Sequence, residues 1–171
     1  RMYGTRTERI IATIEARMTS SRLPGKVLLP LAGKPALQMQ IERLKQSRYL
    51  DGICVATTTN ADDDAIVALA KKLGVGCFRG SEADVLGRVL GAAQSMMADI
   101  IVEMTGDCPF SDPALVDRGI EEFFSHDVDY AANIITLSFP NGFDVQVFTT
   151  SVLADAASRT DDIVDRTHVS L

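Results

Sequence analysis

Short, β-branched apolar runs alternate along the chain with stretches in which apolar residues recur at helical spacing. Ile10-Ile11-Ala12-Thr13-Ile14 is typical of a strand buried on both faces. Ile66, Leu69, Ala70 and Leu73 fall at i, i+3, i+4 and i+7 and predict a helix. Such alternation predicts an α/β fold, with a mainly parallel sheet flanked by helices, in one domain over residues 1–171. Further strands are predicted over 52–57, 75–78, 100–104, 128–132 and 143–148, with helices marked by Leu37, Leu86 and Val116 and a turn over 140–142.

The composition is that of an ordinary folded domain with an acidic balance. The 171 residues are 46% hydrophobic and 23% charged, and 17 basic against 23 acidic residues give a net charge of −6. That balance argues against a nucleic-acid partner, since binding nucleic acid needs a basic face. It still allows a small anion to be held by a few well-placed cations.

Cysteine usage and hydropathy predict the compartment. Cys54, Cys77 and Cys108 are odd in number, widely spaced and never in a CxxC pair, which is typical of reduced thiols in the cytosol. No apolar run is long enough to suggest a bilayer-spanning segment. The sequence therefore predicts a cytoplasmic protein with no membrane partner.

A cation-rich loop follows the first predicted strand. Residues 17–26 carry three cations, three hydroxyls and a glycine. Ligands of open α/β sheets bind outside the carboxyl ends of the strands, so this loop predicts a cradle for a polyphosphate. A solvated basic loop is the plainer interpretation. Neither the common P-loop pattern nor GxGxxG is present, which disfavours kinase-like and nicotinamide-dependent functions.

Polar residues also follow the later predicted strands. Thr57 opens a hydroxyl-rich turn that predicts either a contact with a base or ribose or a helix N-cap, and Arg79 follows the third strand. Asp107 ends the fourth strand, and Asp144 follows the turn over 140–142. Two carboxylates with phosphate oxygens and waters make an ordinary Mg²⁺ site, although either aspartate can be a plain surface residue. Cations and carboxylates at one predicted edge favour Mg²⁺–nucleotide chemistry over a passive scaffold.

Five blocks of the sequence resemble a known family. The first is EARMTSSRLPGKVL at 15–28, followed by LAGKP at 31–35. The others come in family order: VAT at 55–57, FRGSEADVL at 78–86, MTGDCPF at 104–110 and PNGFDV at 140–145. Together they resemble cytidylyltransferases that activate acidic sugars. The likeness is greatest to the spore-coat polysaccharide biosynthesis (SpsF) type, related to the acylneuraminate and 3-deoxy-manno-octulosonate cytidylyltransferases.

The resemblance implies a fold, a reaction and a set of site residues. The fold would be the Rossmann-like nucleotide-diphospho-sugar transferase fold, and the reaction transfer of CMP from CTP to a sugar with release of pyrophosphate, for cell-surface polysaccharide. Arg17, Arg22 and Lys26 would bind the triphosphate, with Ser20 and Ser21 in the same loop and Thr57 and Arg79 near the nucleotide. Asp107 and Asp144 would hold Mg²⁺, while Arg17, Lys26 and Asp107 would act in catalysis. The family often forms homodimers, so a homodimer is a further expectation.

Two departures from the family pattern keep alternatives open. Gln146 stands where relatives commonly carry an acidic residue, and Thr167 replaces a glutamate in DRTHVS at 165–170. The sequence then stops where relatives continue, so part of the family's C-terminal region is expected to be missing. The alternatives are a sugar-1-phosphate nucleotidyltransferase that uses another nucleotide, a nucleotide-binding module without catalysis and, least favoured, an interaction domain.

Overall fold

A computed structural model describes residues 6–133 and 142–169 of the chain. Pro140 and Asn141 of the predicted turn, and Ser170 of the last motif, lie outside the described residues. The strands are β1 Ile10–Glu15, β2 Pro30–Leu31, β3 Lys34–Pro35, β4 Gly52–Thr58, β5 Gly76–Gly80, β6 Ile100–Thr105, β7 Tyr130–Ala132 and β8 Gln146–Thr149. The helices are α1 Ala36–Leu44, α2 Asp64–Leu73, α3 Val85–Ser95, α4 Pro113–Ser125, α5 Thr150–Arg159 and α6 Ile163–Thr167, with short 3₁₀ turns at Lys26–Leu28 and Ala61–Asp63.

The described strands form one six-stranded sheet and a separate two-stranded ribbon of β2 and β3. The order in the large sheet is β5-β4-β1-β6-β8-β7. Neighbours among the first four strands are parallel, whereas β8 runs antiparallel to β6 and β7 antiparallel to β8. The prediction of a mainly parallel sheet is confirmed. The carboxyl ends of β5, β4, β1 and β6 therefore meet at one edge of the sheet, where ligands of this architecture bind.

Helices cover both faces of the sheet. Alternate residues of β1 show this, since Ile10, Ala12 and Ile14 belong to one buried cluster and Ile11 belongs to another. The first cluster includes side chains of α1, α2 and α4, and the second includes side chains of α3 and α5. Because both faces of β1 are buried, residues 10–14 are apolar on both faces except at Thr13, rather than alternating.

Local residue preferences set two of the helix boundaries. Gly74 ends α2 with φ +65°, a left-handed conformation that glycine adopts at little cost. Asp112 precedes α4, and its carboxylate accepts the Ala114 N–H at 2.8 Å, while Pro113 takes the first helical position. These local signals fix where the two helices begin and end.

The last strand is shorter than the predicted range 143–148, because β8 begins at Gln146. The side chain of Asn133 accounts for the difference. It accepts the Val145 N–H at 2.8 Å and donates to the Phe143 carbonyl at 2.9 Å. These backbone groups bond to a side chain rather than to a ladder, so residues 143–145 form a loop beside the carboxyl end of β6.

Candidate active site

A cavity of about 630 Å³ opens at the carboxyl ends of β1 and β6, beside the beginning of α3. It is large enough for a small-molecule ligand. Six of the residues that the sequence predicts for the site line it: Arg17, Ser20, Ser21, Arg22, Lys26 and Asp107. The structure thus brings the cation-rich loop and one of the two predicted carboxylates to the same place.

The cation-rich loop folds back on itself. The Met18 carbonyl accepts the N–H groups of Ser20 at 3.0 Å and Gly25 at 2.8 Å. Gly25 has φ +70°, which a side chain would strain, and a Cβ there would also lie 3.3 Å from the Met18 methyl group. Glycine is therefore needed for the return of the loop toward Lys26.

Asp63 anchors the beginning of this loop. Its carboxylate is fully buried and accepts the Met18 N–H at 2.7 Å and the Thr58 N–H at 3.1 Å, together with the Thr58 hydroxyl. The loop after β1 is thus tied to the end of β4 through one carboxylate. The sequence shows Asp63 only as one of three consecutive aspartates suited to a helix start, because its partners are distant in the chain.

Lys26 and Asp107 form an ion pair inside the cavity, with 2.8 Å between Lys26 Nζ and Asp107 Oδ2. Burial by itself would raise the pKa of Asp107, but the hydrogen bonds from Lys26 and Thr105 outweigh it and hold that pKa below its ordinary value. Asp107 is therefore ionised at neutral pH. Its carboxylate is available to a cation, and Lys26 to an anion.

A second ion pair joins Arg17 to Glu82, at 2.9 Å. Glu82 also accepts the Thr19 hydroxyl and the Asn60 side-chain amide, the latter at 2.8 Å. These hydrogen bonds, with the Arg17 charge, lower the pKa of Glu82. Among the residues that the structure describes, none pairs with the guanidinium of Arg22, which leaves that charge for a ligand.

Glu15, in the cavity wall, is close to the buried Glu103. Glu103 is only 6% exposed, and the two carboxyl groups hydrogen-bond to each other, which requires a proton between them. Burial, the bond to Glu103 and the charge of Glu103 raise the pKa of Glu15 to about 9. The Glu15–Glu103 pair therefore retains a proton at neutral pH. Gln146, the departure from the family pattern, lies directly opposite Glu103 in the sheet.

We expect Glu15→Gln to reduce the pH dependence of stability between pH 5 and pH 9, with Glu103, whose pKa burial also raises, supplying the remainder. The folded pKa of Glu15, about 9, is above the ordinary value of 4.5, so its contribution to stability is complete below about pH 4.5 and is lost as the pH rises to 9. One such proton gives a slope of at most ~1.4 kcal/mol per pH unit. Glutamine retains an N–H for Glu103 and does not titrate.

Urea unfolding of the wild type and of Glu15→Gln at pH 5, 7 and 9 measures this slope. The carboxyl groups with lowered pKa values, among them Glu82 and Asp107, titrate below pH 5 and so do not contribute to this slope. A free energy of unfolding that changes equally with pH in both proteins would contradict the protonated pair.

Three predicted site residues do not line this cavity. Thr57 is fully buried in β4, so its side chain has no surface to offer a nucleotide. Arg79 donates to the carbonyls of Thr58 at 2.8 Å and Asn60 at 2.7 Å, and pairs with Asp64 at 2.6 Å. It thereby holds the segment between β4 and α2. Asp144 is exposed, in the loop that precedes β8.

Asp107 and Asp144 nevertheless both act electrostatically on the Cys108 thiol. Burial raises the pKa of the Cys108 thiol, and the charges of Asp107 and Asp144 act in the same direction. In the part of the chain that the structure describes, no three His, Cys, Asp or Glu side chains gather as a ready metal cage. A two-carboxylate site completed by phosphate oxygens and water still fits Mg²⁺, which rarely uses an all-protein cage.

Glu15 and Arg88 also line the cavity. Neither composition nor motif spacing points to them, but their positions in the sequence do. Glu15 is an acid directly after a doubly buried apolar run. Arg88 comes three residues after Val85, on the apolar stripe of α3, where a charge is out of place. A charged residue at an inward position is therefore the signal that could have identified both.

This sheet, with a cation-lined cavity at the ends of its parallel strands, is the nucleotidyltransferase fold. A solved cytidylyltransferase of Leptospira borgpetersenii superposes with a TM-score of 0.90 at 36% sequence identity, over 95% of this chain and 69% of that one. The fold class predicted from the sequence is confirmed.

The chain belongs to the cytidylyltransferase family, whose profile matches residues 11–170. It is 37% identical over 150 residues to the spore coat polysaccharide biosynthesis protein SpsF of Bacillus subtilis, over 85% of this chain and 61% of that protein. It is 38% identical over 115 residues to the 3-deoxy-manno-octulosonate cytidylyltransferase of Solibacter usitatus, over 66% of this chain and 44% of that protein. The predicted family resemblance is confirmed.

The chain spans 61% and 44% of the length of these two curated relatives. Within residues 6–133 and 142–169, no helix is both long and apolar enough to cross a membrane.

Proposed function

We propose that this protein is a cytidylyltransferase that transfers CMP from CTP to an acidic sugar, with release of pyrophosphate, in the synthesis of cell-surface polysaccharide. The observation that carries the proposal is the meeting of Arg17, Arg22, Lys26 and Asp107 in one cavity at the carboxyl ends of β1 and β6. Membership of the cytidylyltransferase family supports CTP as the nucleotide. The choice of an acidic sugar as the acceptor rests on the resemblance to enzymes that activate such sugars.

In this proposal, the loop after β1 binds the triphosphate. Lys26, Arg17 and Arg22 neutralise phosphate oxygens, and the hydroxyls of Ser20 and Ser21, which line the same cavity, donate to them. The Arg17 side chain is held by Glu82 in this structure, at 2.9 Å, and so is already directed to one side of the cavity. Arg79, which lies outside the lining, would act only indirectly, by holding the segment after β4 through the Thr58 and Asn60 carbonyls. Thr57 would have no direct contact with the nucleotide, because it is fully buried.

The reaction needs positioning and charge neutralisation more than a covalent intermediate. A sugar hydroxyl oxygen forms a bond to the α-phosphorus, the bond from that phosphorus to the bridging oxygen breaks, and pyrophosphate leaves; the hydroxyl proton passes to water. Lys26 neutralises charge that develops on the leaving pyrophosphate. Asp107 and Asp144 would hold Mg²⁺, which supplies further neutralisation of the phosphate oxygens.

We expect the protein to release pyrophosphate from CTP when Mg²⁺ and 3-deoxy-manno-octulosonate or a related sugar acid are supplied. A coupled pyrophosphate assay with CTP, UTP, GTP and ATP in parallel measures it, and omission of the sugar gives the background. Faster release with a nucleotide other than CTP would replace this proposal by a sugar nucleotidyltransferase of different specificity. Binding of CTP without release for any sugar offered would reduce the function to nucleotide binding.

A further inference from the structure

Glu82 is an ionised carboxylate in a cavity that is proposed to bind a polyanion. Three carboxyl groups line this cavity, those of Glu15, Glu82 and Asp107. Glu15 shares a proton with Glu103, and Asp107 is assigned to the metal. Hydrogen bonds lower the pKa of Glu82, so its carboxylate is charged at neutral pH and repels phosphate. A carboxylate in this place therefore needs a function that offsets the repulsion.

The carboxylate of Glu82 joins three segments of the chain. One oxygen accepts Arg17 Nη1 at 2.9 Å and the Thr19 hydroxyl, both from the loop after β1. The other oxygen accepts the Asn60 side-chain amide at 2.8 Å, from the segment between β4 and α2. Glu82 itself lies between β5 and α3. Because both oxygens accept hydrogen bonds, the orientation of the carboxylate is fixed from two sides.

Glu82 and Asp63 together hold the beginning of the loop. Asp63 accepts the backbone N–H of Met18, whereas Glu82 accepts side-chain groups of Arg17 and Thr19. Three consecutive residues, 17–19, are therefore attached to carboxylates of other segments. Asp63 fixes the backbone at this point, and Glu82 fixes the side chains that leave it.

The guanidinium of Arg17 keeps donors for a ligand while Glu82 holds it. Its Nη1 donates to Glu82, and no bond from its other nitrogens to a protein group is present within residues 6–133 and 142–169. A guanidinium has five N–H donors in a rigid planar fork, so fixing one of them orients the others. The side chain is 45% exposed and lines the cavity. Arg17 can therefore bind Glu82 and a phosphate oxygen at the same time.

We propose that Glu82 is a positioning residue for the triphosphate, which orients the Arg17 guanidinium and the start of the loop after β1 before the nucleotide binds. The rotamer freedom of a long side chain is then lost on folding rather than on binding, which raises the affinity for phosphate. This inference rests on the proposed function, because it assumes that Arg17 contacts phosphate oxygens.

Two variants of Glu82 separate its geometry from its charge. Glu82→Ala removes the charge and the acceptor oxygens. Glu82→Gln removes the charge but keeps an acceptor for Arg17 and Thr19, and the Asn60 amide can turn to accept from the glutamine. We expect Glu82→Ala to weaken the binding of CTP and of inorganic tripolyphosphate about threefold to tenfold in calorimetric titrations at fixed Mg²⁺ and ionic strength. Glu82→Gln should bind both ligands at least as tightly as the wild type.

Glu42→Ala is the matched control. The side chains of Glu42 and Glu82 are 38% and 37% exposed, and each pairs with one cation, but Glu42 pairs with Lys34 outside the cavity lining. Its removal should change neither affinity. Both alanine variants should fold, because exposed ion pairs contribute little to stability.

A double variant tests whether Glu82 acts through Arg17. In an Arg17→Met background, Glu82→Ala should weaken tripolyphosphate binding by less than about twofold, because no guanidinium is left to orient. An equal loss in both backgrounds would overturn the positioning role, since Glu82 would then act through the general fold. Tighter binding in Glu82→Ala would overturn it as well, since the carboxylate would then compete with phosphate for Arg17.

The wild type separates this inference from the proposed function. A wild type that binds CTP and tripolyphosphate, with unchanged affinities in Glu82→Ala, would overturn the positioning role alone. A wild type that binds neither ligand would overturn the proposed function together with it.

Discussion

Replacing Asp107 by asparagine is expected to lower CTP-dependent pyrophosphate release by about 10²–10³-fold, the usual effect of removing one electrostatic contact at a reacting centre. The carboxylate lies in the cavity at the end of β6, 2.8 Å from Lys26, and its lowered pKa keeps it ionised. Asparagine has nearly the same shape but cannot neutralise Lys26 or bind a divalent cation well. The rate of pyrophosphate release at saturating CTP measures the effect.

The fold should survive this substitution, because the Asp107 side chain is 45% exposed and its surface ion pair contributes little to stability. Asp62→Asn is the matched control, since Asp62 is an exposed aspartate outside the cavity lining. It should leave the rate unchanged. If Asp107→Asn kept wild-type activity, Asp107 would have no part in metal binding or catalysis.

Replacing Lys26 by methionine is expected to weaken CTP binding by about 10–100-fold, the usual value of one charge-assisted contact to phosphate. The change removes a cation from the cavity and also leaves the charge of Asp107 without its partner, so an anionic ligand meets net repulsion there. Calorimetric titration with CTP at fixed ionic strength measures the loss.

Lys34→Met is the control for general charge effects. Lys34 is an equally charged residue of β3 that pairs with Glu42 at 2.6 Å, and it does not line the cavity. Its replacement should change CTP affinity by less than about twofold, because exposed charges outside the site are screened by salt. Equal losses in the two variants would mean that net charge, rather than the loop after β1, sets the affinity.

Much of the fold could be predicted because the relevant signals are local. The apolar run over residues 10–14 forms a central strand of the sheet. Gly74 and Asp112 mark helix boundaries by their own backbone and side-chain preferences. The predicted start of β8 is wrong. Asn133, ten residues before Phe143 in the sequence, binds the backbone of Phe143 and Val145, which would otherwise extend the strand. A periodic pattern carries no information about such a distant partner.

The candidate site likewise contains residues that the sequence reveals and residues that only the fold reveals. The loop 17–26 and Asp107 were recognised because cations, hydroxyls and a carboxylate at predicted strand ends are visible in the sequence, and they line one cavity. Asp63 could not be assigned, because its importance comes from its contacts with Met18 and Thr58, and Met18 belongs to the loop after β1, which is distant in the sequence. The roles of the predicted residues in binding and catalysis stay predictions until the variants are measured.

Calorimetric titration of the unmodified protein with CTP in the presence of Mg²⁺ tests the central claim most directly, because it asks whether the cavity at the ends of β1 and β6 binds this nucleotide. We expect saturable binding of one CTP per chain, tighter than that of UTP, GTP or ATP, and weakened in Lys26→Met but not in Lys34→Met. Absence of saturable binding, or equal binding by Lys26→Met and the wild type, would contradict it.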